Sequence, residues 1–169
     1  MWRPEPAHVI DLARAGGLTL GSAESLTGGA LSATITAVPG ASDVWRGAVV
    51  AYHADVKRDL LGVPAHVLDE VGAVSPDTAL AMAQGTRARL GVDIAVSTTG
   101  VAGPRAHDGR EVGTVFIGVA GPGIARAQEF TFTGDRGAIV RRSVDAALTV
   151  FLSAMGGHTA EAPGIGEQL

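Results

Sequence analysis

Leu18-Thr19-Leu20-Gly21-Ser22-Ala23-Glu24-Ser25-Leu26-Thr27-Gly28-Gly29 is the stretch that decides the fold. Leu18, Leu20 and Ser22 alternate with Thr19, Gly21 and Ala23, the two-residue period of a buried strand running into a turn. Residues 29–38 read as a helix. Ser25 therefore stands where a strand ends, and Thr27-Gly28-Gly29 where a helix begins. The first N–H groups of a helix have no partner within it and sit at the positive end of its dipole. Two glycines let a ligand approach that backbone closely. A hydroxyl beside such a nest is a candidate nucleophile next to a candidate oxyanion or phosphate site. Helix capping explains the same residues, Thr27 above all, and the local pattern leaves both readings open.

Working outward, helical and strand periods alternate along the chain. Val9, Ile10, Leu12 and Ala13 have helical spacing, and Gly16-Gly17 ends that helix. Pro39-Gly40 marks a turn after the helix at 29–38, and residues 44–52 form a β-rich run. Short helices are expected at 54–61 and 64–71. Ser75-Pro76-Asp77 starts a helix that runs to about Leu90. Strands are expected at 93–99, 113–120 and 125–133, and Gly134-Asp135-Arg136 opens a final helix to about Met155. This order predicts a three-layer α/β/α sandwich with a mixed, mostly parallel sheet covered on both faces, because the strand runs are apolar. One domain is expected over residues 1–155, with no internal repeat. The Gly/Pro/Glu-rich residues 156–169 read as a disordered tail.

Composition narrows the function. The 169 residues are 46% hydrophobic, 18% charged and 4% aromatic, which suits a globular protein rich in small residues. Net charge is -4 with no Lys/Arg stripe, which argues against nucleic acid as a partner. Cysteine is absent, so thiolate nucleophiles, thiolate metal sites and disulfides are excluded. The five histidines show no metal-ligand spacing such as H-E-x-x-H, and no cofactor motif stands out. The first six residues lack the apolar core of a signal peptide, and no apolar run is long enough for a membrane span. The default expectation is a cytoplasmic protein that does not contact the membrane.

Two further segments suggest chemistry. Tyr52 ends a strand and Lys57 lies five positions on, early in a helix, so a phenol and an ammonium can meet there. A half-exposed tyrosine and a solvated lysine account for the same pattern. Ser97-Thr98-Thr99-Gly100-Val101-Ala102-Gly103-Pro104 puts hydroxyls and glycines at the carboxyl end of a strand, where open α/β sheets bind ligands. An ordinary Gly-Pro loop accounts for it equally well.

Eight short motifs appear in one order: Ala23-Glu24-Ser25-x-Thr27-Gly28-Gly29, Val38-Pro39-Gly40-x-Ser42, Tyr52 with Lys57, Leu61-Gly62-Val63, Gly72-Ala73-Val74-Ser75, Gly100-Val101-Ala102-Gly103-Pro104, Val112-Gly113-Thr114-Val115 and Gly134-Asp135-Arg136. Each is weak alone. Together, over roughly residues 7–152, they resemble the nicotinamide-nucleotide amidase family, the stand-alone form of the C-terminal domain of CinA (competence/damage-inducible) proteins. The resemblance implies hydrolysis of the carboxamide of nicotinamide mononucleotide to nicotinic acid mononucleotide and ammonia, in pyridine nucleotide recycling. It implies a small-molecule pyridine nucleotide as partner, no cofactor, and a homo-oligomer with a dimer favoured. By motif, Ser25 resembles the nucleophile, and Tyr52 and Lys57 its activating partners. Thr99, beside Gly100, and Arg136 resemble substrate-binding positions. The competing expectation is a CinA-type domain that binds nucleotide without turnover.

The chemistry fits those residues. Amide hydrolysis needs a nucleophile, a base, an oxyanion site and an acid for the leaving ammonia. Without cysteine or a metal site, a Ser–Lys arrangement is the economical choice. Lys57 must then be partly neutral, which requires its ordinary pKa of about 10.4 to fall towards about 7; burial acts in that direction. Tyr52 is expected to orient Lys57 or relay its proton. The Thr27-Gly28-Gly29 amides are expected to hold the oxyanion, and Arg136 with the first N–H groups of its helix the phosphate. A Ser25–His53–Asp55 triad is the alternative constellation. The segment from Arg105 to Glu111 is shorter and more charged than the glycine-rich loop of many relatives, and borders the expected site.

Overall fold

The computed structural model describes residues 4–156. Among the described residues six helices and five strands follow one another as α1 (Pro6–Gly16), β1 (Leu20–Glu24), α2 (Ala30–Thr36), β2 (Trp45–Val50), α3 (Ala54–Leu61), α4 (Ala65–Val71), α5 (Pro76–Leu90), β3 (Ile94–Gly100), β4 (Thr114–Gly121), β5 (Ile124–Thr131) and α6 (Arg136–Ala154), with a 3-10 turn at Ala41–Asp43. The order is the expected one. The expected tail lies outside the described residues from position 157 onward. The punctuation works as its chemistry dictates. Ser75 caps α5 by accepting the Thr78 N–H, with Pro76 at the first helical position. Gly17, Gly62 and Gly91 end α1, α3 and α5 in the left-handed conformation.

The sheet order is β2-β1-β3-β4-β5. β1 pairs in parallel with both β2 and β3, whereas β3–β4 and β4–β5 are antiparallel. Four strands thus share one direction and β4 opposes them. Helices α1, α2 and α6 cover one face over a core that includes Val9, Leu31, Ile139 and Phe151. Helices α3, α4 and α5 cover the other, around Leu61, Met82 and Phe116. Gly118 lets α5 settle onto the sheet: a Cβ there would collide with the Ala79 carbonyl, which also accepts the Ser97 hydroxyl at 2.5 Å. The expectation of apolar strands throughout fails at β5, where Arg126, Gln128 and Glu129 are exposed. It is an edge strand, and its charges discourage pairing with another chain.

The connections place the site. From β1 the chain passes to β2 on one side, then returns to β3 on the other. The carboxyl ends of three parallel strands therefore open at a switch point of the topology, the position where α/β sheets form clefts. Among the described residues no helix is long and apolar enough to cross a membrane.

Candidate active site

Ser25 is the first residue beyond β1. Its N–H donates to the Thr98 carbonyl of β3 at 2.9 Å, and the neighbouring Glu24 carbonyl accepts the Ala51 N–H at the end of β2 at 2.8 Å. Both flanking strands thereby fix its backbone. Lys57 reaches it from α3. Lys57 and Leu61, four residues apart, are the buried face of that helix. The lysine side chain is only 2% exposed. Its Nζ donates to Ser25 Oγ at 2.9 Å and to the Ala51 carbonyl at 3.1 Å. Burial lowers its pKa from 10.5 to about 8, against the charge of Asp108, which raises it. About a tenth of the molecules then carry a neutral amine at pH 7. Lys57 is also the only lysine of the chain, a signal that was legible in the sequence.

The two residues open onto a cavity of about 800 Å³, bounded by Tyr52 and His53 on one side, the segment from Thr99 to Arg105 on another, and Asp108 and Arg136 at its rim. Thr99 is buried, its hydroxyl donates to the Ala73 carbonyl at 2.7 Å, and the residue lines the cavity. Arg136 donates to the Gly103 carbonyl and lines the cavity. At the start of its helix, Asp135 accepts the Ala138 N–H at 2.8 Å, so that amide is capped from within the chain.

Tyr52 is 61% exposed, and among the described residues its hydroxyl makes no hydrogen bond to Ser25 or Lys57. It forms the mouth of the cavity and stands apart from the buried pair. His53 bonds Asp55 at 2.9 Å, but both side chains are more than half exposed, and Lys57 rather than His53 holds Ser25. The alternative Ser25–His53–Asp55 triad is not assembled.

Thr27, Gly28 and Gly29 require a correction. They do not line the cavity, because Glu24 occupies the nest they form. The carboxylate is fully buried, with Oε2 accepting from Gly29 N–H at 3.0 Å, Leu31 N–H at 3.0 Å and the Thr27 hydroxyl at 2.8 Å, and Oε1 accepting from Ser32 N–H at 2.8 Å. Gly28 N–H donates to the Ser25 carbonyl. The positive end of α2 is thus neutralised from within the chain. The amides left without a hydrogen-bond partner among the described residues are those of Leu26 and Thr27, immediately after Ser25, and Leu26 lines the cavity. Glu24→Gln is expected to destabilise the fold by about 3 kcal/mol, since an amide NH2 would face N–H donors in a buried site. Urea unfolding of the two proteins checks it; equal midpoints would mean the carboxylate is dispensable.

A serine at a strand end, a buried amine on its hydroxyl and a cavity at a topological switch point thus meet in one α/β sandwich. The CinA C-terminal domain family matches residues 4–155, and the chain belongs to that family. A Desulforamulus reducens protein named for competence-damage induction is 48% identical over 132 residues, which are 78% of this chain and 32% of that one. A CinA-like protein of a Synechococcus species is 54% identical over 98 residues, 58% of this chain and 23% of that one. The chain thus spans a quarter to a third of the length of these curated relatives. Solved structures match at full domain length. The CinA superfamily protein of Klebsiella pneumoniae superposes with a TM-score of 0.86 at 32% identity, covering 89% of this chain and 95% of that one. A competence/damage-inducible protein of Agrobacterium tumefaciens gives 0.82 at 33% identity, covering 89% and 93%.

Proposed function

We propose that the chain is an amidohydrolase that converts nicotinamide mononucleotide to nicotinic acid mononucleotide and ammonia, with Ser25 as nucleophile and Lys57 as its base. The observation that carries this reading is the 2.9 Å hydrogen bond between a buried, partly neutral amine and a hydroxyl at the cavity floor. Neutral Lys57 takes the Ser25 proton as Oγ attacks the carboxamide carbon. The Leu26 N–H group, which has no hydrogen-bond partner among the described residues and belongs to a residue lining the cavity, supplies the developing oxyanion with a donor. Collapse of the tetrahedral intermediate expels ammonia, which takes a proton from the Lys57 ammonium, and leaves an ester on Ser25. Water, deprotonated by the amine regenerated in that step, then hydrolyses the ester. Arg136 at the rim supplies a cation for the 5′-phosphate. Thr99 and Gly100 form the wall against which the base and ribose lie.

Ammonia release from the mononucleotide, compared with the riboside and with nicotinamide, tests the reading. Turnover of the mononucleotide at least about tenfold above the riboside is expected, the gain of a charge-assisted phosphate contact. Tight binding of the mononucleotide with no ammonia would instead support a nucleotide-binding domain without turnover.

The pH dependence follows from Lys57. Its ammonium form cannot accept a proton, so activity is low in acid. As pH rises through about 8 the neutral amine accumulates and kcat/KM climbs to a plateau. A profile already flat from pH 6 to 9 would remove Lys57 from the role of base.

A further inference from the structure

Asp108 lies in a segment that the roles of Ser25 and Lys57 leave unexplained. His107 and Arg110 exchange both backbone hydrogen bonds, at 3.1 and 2.9 Å, around Asp108 and Gly109. Those two residues have φ of 50° and 67°. Two positive values in succession are what a type I′ turn requires, and Asp-Gly supplies them readily. The turn folds the Asp108 side chain back against the chain. Its Oδ2 accepts the Ala73 N–H at 2.7 Å. The carboxylate lies so close to Gly72 that a Cβ there would meet it at 3.1 Å. The Gly72-Ala73 segment is itself fastened, its two carbonyls accepting the Thr78 and Thr99 hydroxyls at 2.7 Å each. On the far side of the turn the Arg110 guanidinium sits 5.4 Å over the Phe116 ring. Among the described residues lining the cavity of Ser25 and Lys57, Asp108 is the only acid.

We propose that Asp108 is a positioning residue of this site: it latches the 105–111 loop to Ala73 as the outer wall of the cavity and presents a negative charge to the cavity that Lys57 also lines. The proposal rests on reading Ser25 and Lys57 as the reactive pair. Charged groups on the other elements around Lys57 are engaged elsewhere or turned to solvent. On α3 and just before it, His53 pairs with Asp55, and Arg58 with Asp59. Glu24 of β1 is committed to the α2 amides, and Arg136 of α6 lines the cavity and donates to the Gly103 carbonyl. His66, Asp69 and Glu70 of α4 and Asp77 of α5 are exposed. On the loop itself Arg105 is exposed, and His107 lies 3.4 Å from Asp108 Oδ1. The Asp108 charge favours the protonated amine and opposes the burial that disfavours it.

Because the chain has one lysine, lysine labelled with 13C at Cε gives one side-chain resonance to titrate in the full chain. Asp108→Asn keeps an acceptor for Ala73 and tolerates positive φ, but removes the charge. The midpoint of the Lys57 resonance is expected to move to lower pH in this variant. In parallel, kcat/KM at pH 6.5 should rise about threefold relative to the variant's own plateau. A packing role alone would lower activity at every pH and leave the midpoint in place; that result, or a midpoint moved upward, overturns the proposal. Asp108→Ser is the second uncharged variant should Asp108→Asn not fold. Asp108→Ala, which also loses the latch, should raise KM about tenfold with plateau kcat within about threefold of wild type. An unchanged KM would refute the latch. The titration needs no turnover, so a chain that releases no ammonia but shows the moved midpoint refutes the amidase reading and leaves Asp108 in its role.

Discussion

Replacing Ser25 by alanine is expected to lower kcat for ammonia release by at least about a thousandfold, with affinity for nicotinamide mononucleotide within a few-fold of wild type. The substitution deletes one oxygen at the floor of the cavity and leaves its walls untouched. Removing a nucleophile leaves only the contribution of binding and of the proposed oxyanion donor, the Leu26 amide. Ser25 is 8% exposed, and its backbone is held by β3 through Thr98, so the alanine variant should fold as the parent does. Its melting temperature checks that point before the kinetics are read. Single-turnover kinetics with mass analysis of the quenched protein adds a second readout, since only wild type can carry the acyl group of nicotinic acid mononucleotide as an ester on Ser25. Turnover within tenfold of wild type would reduce Ser25 to a structural hydroxyl.

The element order was legible because periodicity and Gly/Pro punctuation agree along the chain. Strand pairing was not. Nothing in the apolar runs of β3 and β4 separates parallel from antiparallel neighbours, although the Gly121-Pro122-Gly123 turn is short enough to force a β4–β5 hairpin. Within the site, the sequence points to Thr27-Gly28-Gly29 as a nest for a ligand anion, whereas Glu24 of the chain itself takes the Gly29 N–H and the Thr27 hydroxyl. Strand parity held the clue: Glu24 shares the face of Leu20, and that face meets α2. A carboxylate at that parity has to find donors, and the unpaired N–H groups of α2 are the nearest. Ser25 and Lys57 stand 32 residues apart, and their contact depends on β1 and β2 being neighbours, which no local pattern states. Tyr52 was placed with them because it sits at the end of β2. The chain turns there so that the Ala51 carbonyl faces inward to Lys57 and the phenol outward to the cavity mouth.

Lys57→Met and Lys57→Arg are expected to lose activity by at least about a thousandfold, while their stabilities move in opposite directions. Methionine fills similar space but accepts no proton. Arginine stays charged at any usable pH, so raising the pH cannot rescue it. The stability effect follows from linkage. Folded Lys57 has a pKa of about 8 against 10.5 for the free side chain, so between those values the unfolded chain binds the proton more readily. The cost of burying the amine is therefore full below about pH 8 and fades as pH rises towards 10.5. At pH 7 it amounts to about 3 kcal/mol. Removing the amine also removes its hydrogen bonds to Ser25 and Ala51, each contributing about 1 kcal/mol. The difference leaves Lys57→Met about 1 kcal/mol more stable than wild type at pH 7, and that gain should shrink as the pH approaches 10. Arginine, larger and permanently charged in the same buried position, should destabilise the fold. Denaturant midpoints of the three proteins at pH 7 and pH 10 decide the matter. A Lys57→Met variant less stable than wild type at pH 7 would mean that the amine is held as a structural donor, and an active Lys57→Arg variant would return the role of base to His53.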